Sequence, residues 1–156
     1  MSIEHVRHYF SHYHLAHRVL EFPVSSATVE EAAIALGTEE KRIAKTMSFE
    51  VAGIPTLVVM AGDARIDNAK FKAQFKVKAN MLKGDDVLEK VGHPIGGVCP
   101  FAIKEGVAVY LDESLKRFDT VFPACGSRNS AIELNLSELE QYSGSLAWVH
   151  ISKDWA

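Results

Sequence analysis

Cys99 and Cys125 are the only cysteines in a chain of 156 residues, too few for a disulfide framework. No apolar run approaches the roughly 18–20 residues of a membrane-spanning helix, so no membrane partner is expected. A Gly-rich phosphate loop closed by Lys-Ser or Lys-Thr is missing, as is the βαβ rhythm of a doubly wound nucleotide-binding fold. The first residues, Met1-Ser2-Ile3-Glu4-His5-Val6-Arg7-His8, lack the basic stretch and apolar block of a secretory leader. A reducing cytoplasm is the expected location. Apolar residues make up close to half the chain and charged residues about a quarter, ordinary proportions for one globular domain spanning 1–156.

A surplus of positive charge is also lacking, since the net charge is −3, which argues against a general nucleic-acid coat. One stretch departs from that average. Between Ala69 and Lys83 lie Lys70, Lys72, Lys76, Lys78 and Lys83 with no acid, leaving −8 on the remainder. This stretch reads either as a solvated helix face with Phe71 and Phe75 in the core, or as a stripe that meets a phosphate backbone.

Periodicity divides the chain into short elements. A helix is expected over Ile3–Leu15 and a strand over His17–Phe22, ended by Pro23. Thr28-Val29-Glu30-Glu31 is a capping box opening a helix that stops at Gly37, and a helical turn follows over Glu39–Ile43. Thr46–Val51 alternates, with Met47, Phe49 and Val51 on one face. The turn at Gly53-Ile54-Pro55 returns the chain into Thr56–Met60, an apolar run suited to a strand covered on both faces. Helices are expected over Asp67–Phe75 and Asp85–Val91. Phe101–Lys104 and Val107–Leu111 read as a hairpin around Glu105-Gly106, and Thr120–Ala124 with Ala131–Asn135 as a pair around Gly126-Ser127-Arg128-Asn129. A second capping box at Ser137-Glu138-Leu139-Glu140 opens a last helix, and Leu146–Ile151 is a closing strand. The expected class is α+β, with a mixed, largely antiparallel sheet of six or seven strands flanked by helices.

Three segments carry possible chemistry. Gly92-His93-Pro94-Ile95-Gly96-Gly97-Val98-Cys99-Pro100 holds three glycines and two prolines in nine residues. Glycine leaves peptide N–H groups approachable, so the loop either cradles a carbonyl oxygen as negative charge develops or serves as a tight connector. Lys45 shares strand parity with Met47 and Phe49; it either snorkels out or occupies a cleft, where an ammonium holds a phosphate or polarises an ester carbonyl. Ala124-Cys125-Gly126-Ser127-Arg128-Asn129 is either a plain hairpin turn or part of the same site. His5, His8, His12, His14 and His17 crowd the N-terminus, but no cysteine or paired carboxylate completes a metal site. Cys99, in sequence near His93, is a conceivable thiol nucleophile, although a small buried residue is expected between Val98 and Pro100.

Taken in order, these segments resemble the YbaK family, free-standing relatives of the editing domain inserted in bacterial prolyl-tRNA synthetases. The likeness runs from the Thr28 capping box with Glu31-Ala32-Ala33 and Leu36-Gly37, through Arg42-Ile43-Ala44-Lys45-Thr46, to Gly92–Phe101. It ends in Val109-Tyr110-Leu111-Asp112-Glu113-Ser114-Leu115 and Ile132-Glu133-Leu134. The resemblance implies a partly barrel-like sheet and hydrolysis of the ester joining a wrong amino acid to the terminal adenosine of tRNA. It implies no metal or organic cofactor. Lys45 would hold the aminoacylated end, and the Gly-x-x-x-Pro loop, Gly96 to Pro100, would orient the carbonyl through backbone donors of Gly96 and Gly97. His93, Ile95, Val98, Cys99, Pro100, Ala124, Gly126 and Arg128 would line the substrate site. A water or a ribose hydroxyl would attack. Relatives often carry serine where this chain has Ala124 and Cys99, and both changes bear on which aminoacyl group fits. The partners implied are the acceptor end of mischarged tRNA and an aminoacyl-tRNA synthetase. A non-catalytic module binding tRNA ends or a synthetase, and a Cys99-dependent thiol hydrolase, are the competing readings.

Overall fold

The computed structural model describes residues 2–156. In chain order its elements are α1 (Ser2–Ser11), β1 (Leu20–Glu21), α2 (Val29–Leu36), β2 (Ile43–Val51), β3 (Ile54–Ala61), β4 (Arg65–Ile66), α3 (Asn68–Phe75) and α4 (Gly84–Val91). They continue as β5 (Ala108–Asp112), β6 (Thr120–Pro123), β7 (Ser130–Ala131), β8 (Leu134–Asn135), α5 (Leu136–Ser143), β9 (Ala147–Val149) and β10 (Ser152–Lys153). A curled six-stranded sheet in the order β8-β6-β2-β3-β5-β9 carries the fold. Two-stranded ribbons, β1 with β7 and β4 with β10, complete it.

The hairpin β2–β3 is the spine. Its turn places Ala52 at φ 49° and Gly53 at φ 82°, and positive φ at both central positions is what a type I′ turn requires. The turn therefore lies one residue earlier than the Gly53-Ile54-Pro55 expectation, and Ile54 and Pro55 belong to β3. Leu57, Val58, Val59, Met60 and Ala61 are wholly buried, as a strand between two neighbours and two covering layers demands. Phe49 on β2 meets Phe71 of α3 with ring centroids 4.8 Å apart, and Phe75 continues the stack to Tyr110 of β5. On the opposite face Leu57 packs with Val91 of α4 and Val109, while Phe10 of α1 meets Phe101 edge-on at 4.9 Å.

The sheet is mixed. Pairs β2–β3 and β6–β8 are antiparallel, whereas β2–β6, β3–β5 and β5–β9 are parallel. The expected hairpin of Phe101–Lys104 with Val107–Leu111 does not form. Phe101 is buried in the core, its carbonyl is taken by His93, and β5 pairs with β3 and β9 instead. The chain after the Gly126–Asn129 turn is divided: β8 pairs with β6, but β7 turns away to pair with β1. β1 is confined to Leu20–Glu21, because Ala16–Arg18 winds into a 3₁₀ turn. The capping box at Thr28 and Glu31 is present in full, and Gly37 closes α2 at φ 67°. The cap of α5 falls on Asn135, whose side chain accepts from Glu138 N, and not on Ser137.

Candidate functional site

Strand β6 stays beside β2 only as far as Ala44↔Pro123. Beyond that point the two diverge, and the exposed edge of β2 from Lys45 to Ser48 becomes the wall of a cavity of about 300 Å³. The first residues of α2 form a second wall, and Met81, Leu82 and Val87 a third. Ile95, Gly96 and Val98 of the glycine loop line it, with Ala124 and Ser130 beside the 124–129 turn. The lining is largely aliphatic, so a small uncharged group suits its depth.

Lys45 stands at the sheet wall. Its Nζ donates to Gly62 O at 3.3 Å and to Ala64 O, in the bend after β3. An ammonium has three donors, and these bonds use two of them. Burial pulls the Lys45 pKa below the ordinary lysine value; the Asp63 carboxylate opposes that fall, and Arg65 adds to it. Asp63 is itself held by Arg117, whose two terminal nitrogens lie 2.9 and 2.6 Å from its oxygens, which draws the Asp63 carboxyl below its usual range. Thus the bend that receives Lys45 is clamped by an ion pair. Removing the Asp63 charge in Asp63→Asn is expected to lower the Lys45 pKa further, so that the cation is lost at a lower pH as pH rises. Titration of the Lys45 side-chain NMR signals checks this, and an unchanged or raised midpoint contradicts it.

The glycine loop is fixed from behind. Gly97 N donates to Pro94 O at 3.0 Å, and Gly96 has φ 90°; positive φ at the third position is the mark of a type II turn. Arg128 Nε donates to Ile95 O at 3.1 Å. Because a trans peptide points its C=O and following N–H in opposite directions, this bond directs the Gly96 N–H away from Arg128. A Cβ added at Gly97 would lie 2.6 Å from Ser127 N, so loop and turn pack backbone to backbone. Ser26 N in turn donates to Arg128 O at 2.7 Å, tying the approach to α2 into the assembly.

Lys45, Ile95, Gly96, Val98 and Ala124 are therefore brought together around the cavity. His93, Gly97, Cys99, Pro100 and Gly126 are buried and are not among the residues that line it. The Gly97 N–H already closes the turn, whereas Gly96 lines the cavity. His93 Nε2 lies 2.7 Å from Phe101 O; a carbonyl only accepts, so Nε2 carries the proton. Nδ1 has no partner among the described residues, and burial lowers the His93 pKa. Cys99 is wholly buried, and burial pushes its thiol up to about 12, away from the thiolate that nucleophilic chemistry needs. Arg128 lies at the exposed end of the turn and acts on the loop through Ile95.

Thr46 was not singled out by the sequence. Its Oγ1 is buried without a partner among the described residues, on a residue that lines the cavity. An unpaired buried hydroxyl is costly, and a ligand with a polar group would satisfy it. The signal available in the sequence was only its place beside Lys45. Among the described residues no group of three or more His, Cys, Asp or Glu is placed to hold a metal ion, and no helix is long and apolar enough to cross a membrane.

Residues 24–142 match the aminoacyl-tRNA editing domain. The uncharacterized protein YwhH of Bacillus subtilis (strain 168) is 53% identical over 156 residues, covering 99% of each chain. A proline--tRNA ligase of Thermosipho melanesiensis is 33% identical over 90 residues, 57% of this chain and 16% of the ligase. The crystal structure of a candidate trans-editing enzyme for prolyl tRNA synthetase superposes with a TM-score of 0.87 at 27% identity, covering 97% of each chain. The chain belongs to the aminoacyl-tRNA editing domain family.

Proposed function

We propose that the protein hydrolyses, in trans, the ester of a mischarged tRNA, acting on the acceptor end in the cytoplasm. The observation that carries this reading is that Lys45 and Gly96 line one small, largely aliphatic cavity. The aminoacyl group occupies the cavity, and the free N–H of Lys45 anchors the acylated ribose end. The Gly96 N–H, aimed by the Arg128–Ile95 bond, meets the ester oxygen as it gains negative charge.

No His, Asp or Glu lines the cavity, so a side-chain general base is not part of the scheme. A water oxygen attacks the carbonyl carbon. The bond from that carbon to the esterified ribose oxygen then breaks, and the proton released by the attacking group passes to the departing oxygen. With water the products are free amino acid and tRNA.

The test is a panel of tRNAs charged with alanine, cysteine, serine or threonine, incubated with the protein and assayed for loss of the ester. Faster release from at least one is expected. A rate equal to the spontaneous one across the panel, with tRNA still bound, would leave a binding module and remove the hydrolase.

A further inference from the structure

We propose that Lys72, Lys78 and Lys83 form the track along which the sugar–phosphate backbone of the tRNA acceptor arm leaves the cavity. This rests on the reading of the cavity as the site of the acyl end. Five lysines without an acid lie between Ala69 and Lys83, yet they are not equivalent. Lys70 Nζ is spent on Ser152 O at 2.9 Å, and Lys76 Nζ on Ala73 O at 2.9 Å. Lys72, Lys78 and Lys83 are exposed, and their side chains make no hydrogen bond or ion pair among the described residues. A cation left without a carboxylate keeps its full attraction for phosphate.

Their placement gives this charge a direction. Lys72 and Lys78 flank one surface hollow with Asn68. From Lys78 the chain runs as an added strand against the free edge of β2: Glu50 N donates to Asn80 O at 2.9 Å, and Leu82 N to Ser48 O at 3.0 Å. Met81 and Leu82 then reach the wall of the cavity. At about 3.3 Å per extended residue, Lys78 lies roughly 10 Å along the chain from Met81. Lys83 follows at the start of α4, where it makes no side-chain cap. Lys78 and Lys83 therefore bracket the segment whose Met81 and Leu82 wall the cavity, with Lys72 beside Lys78 at the hollow.

Acids bound this track without crossing it. Asp85 and Asp86 resume the negative charge in the first turn of α4, and Glu50 faces Lys90 at 3.8 Å. A surface elsewhere so acidic, with this one unneutralised row beside the cavity, fits a polyanion that arrives end-first.

The experiment measures tRNA binding by fluorescence anisotropy across a salt series, together with hydrolysis of two esters: full mischarged tRNA and the same aminoacyl group on its 3′-terminal trinucleotide. In Lys72→Glu/Lys78→Glu/Lys83→Glu, affinity for tRNA is expected to fall more than tenfold. The slope of log K against log salt should shrink by about 2, at roughly 0.7–0.9 per lost phosphate contact. KM for full tRNA should rise while turnover of the trinucleotide ester stays at the wild-type rate. Lys153→Glu, an exposed change off the track, should leave all of these in place. Unchanged tRNA affinity and salt slope in the triple variant would overturn the track, even with the hydrolase intact. Loss of binding in the triple variant, with no ester cleaved by wild type, would keep the track and remove the hydrolase. Binding to phosphatidylserine vesicles, lost in the triple variant while tRNA affinity is unmoved, would reassign the face to a membrane surface and overturn the proposal.

Discussion

In Lys45→Met, single-turnover hydrolysis of the preferred mischarged tRNA is expected to fall by about 100-fold, the usual cost of misplacing a reacting group by about 1 Å. Methionine keeps most of the aliphatic stem, so the cavity wall between Met47 and the bend at Gly62–Ala64 stays filled. What disappears is the ammonium. The carbonyls of Gly62 and Ala64 lose their donor, and the acylated ribose end loses its anchor. Arginine is not a conservative replacement here. Its planar fork is longer and satisfies different angles from the single Nζ that donates to Gly62 O and Ala64 O. Lys45→Arg is therefore expected to recover less than a tenth of the wild-type rate. A Lys45→Met enzyme with wild-type turnover on every ester would end the assignment of Lys45 to the site. Comparison with Asp63→Asn separates charge from position: that variant keeps Lys45 and changes the pH at which its cation is lost.

Much of the site was legible because its parts are set by local rules. The Thr28 box fixed where α2 begins, the alternation of Met47, Phe49 and Val51 gave the parity of Lys45, and the glycine content of the 92–100 loop marked an irregular backbone. What escaped was set by distant partners. Strand β5 pairs in parallel with β3 and β9, and parallel pairing leaves no turn spacing to read. The loop's residues looked equally available in sequence. Yet packing sends His93 and Cys99 inward to Phe101 O, and the Gly97 N–H is consumed by Pro94. Thr46 and the free edge of β2 face a cavity only because β6 departs after Ala44, and nothing local to Thr46 records that departure. The lysine stripe, conversely, is continuous in sequence but divided in space, with Lys70 and Lys76 withdrawn from it.

Gly97→Ala is expected to disable the site and lower stability together, for a reason that a second glycine isolates. A Cβ at Gly97 would sit 2.6 Å from Ser127 N and 2.8 Å from Gly126 C, both backbone atoms of a turn held by Ser127 and Ser130. Neither can yield as a side-chain tip would. The loop must withdraw, carrying Gly96 from the cavity rim, and forced overpacking of this kind costs about 1–3 kcal/mol. That cost lowers Tm by roughly 2–4 °C per kcal/mol for a chain of this size. A displacement near 1 Å of the Gly96 donor is enough to reduce the rate about 100-fold. Gly53 makes the opposite case: its φ is 82° and nothing lies within 4 Å of an added Cβ. Gly53→Ala therefore pays only for the left-handed backbone, about 1–2 kcal/mol, at the far end of the β2–β3 hairpin. Both variants should melt earlier than wild type, but only Gly97→Ala should lose hydrolysis below its melting range. If Gly97→Ala retains full turnover, the loop does not position the reacting ester by its contact with the 126–127 turn. If Gly53→Ala loses turnover as well, the loss reports general loosening and not the placement of Gly96.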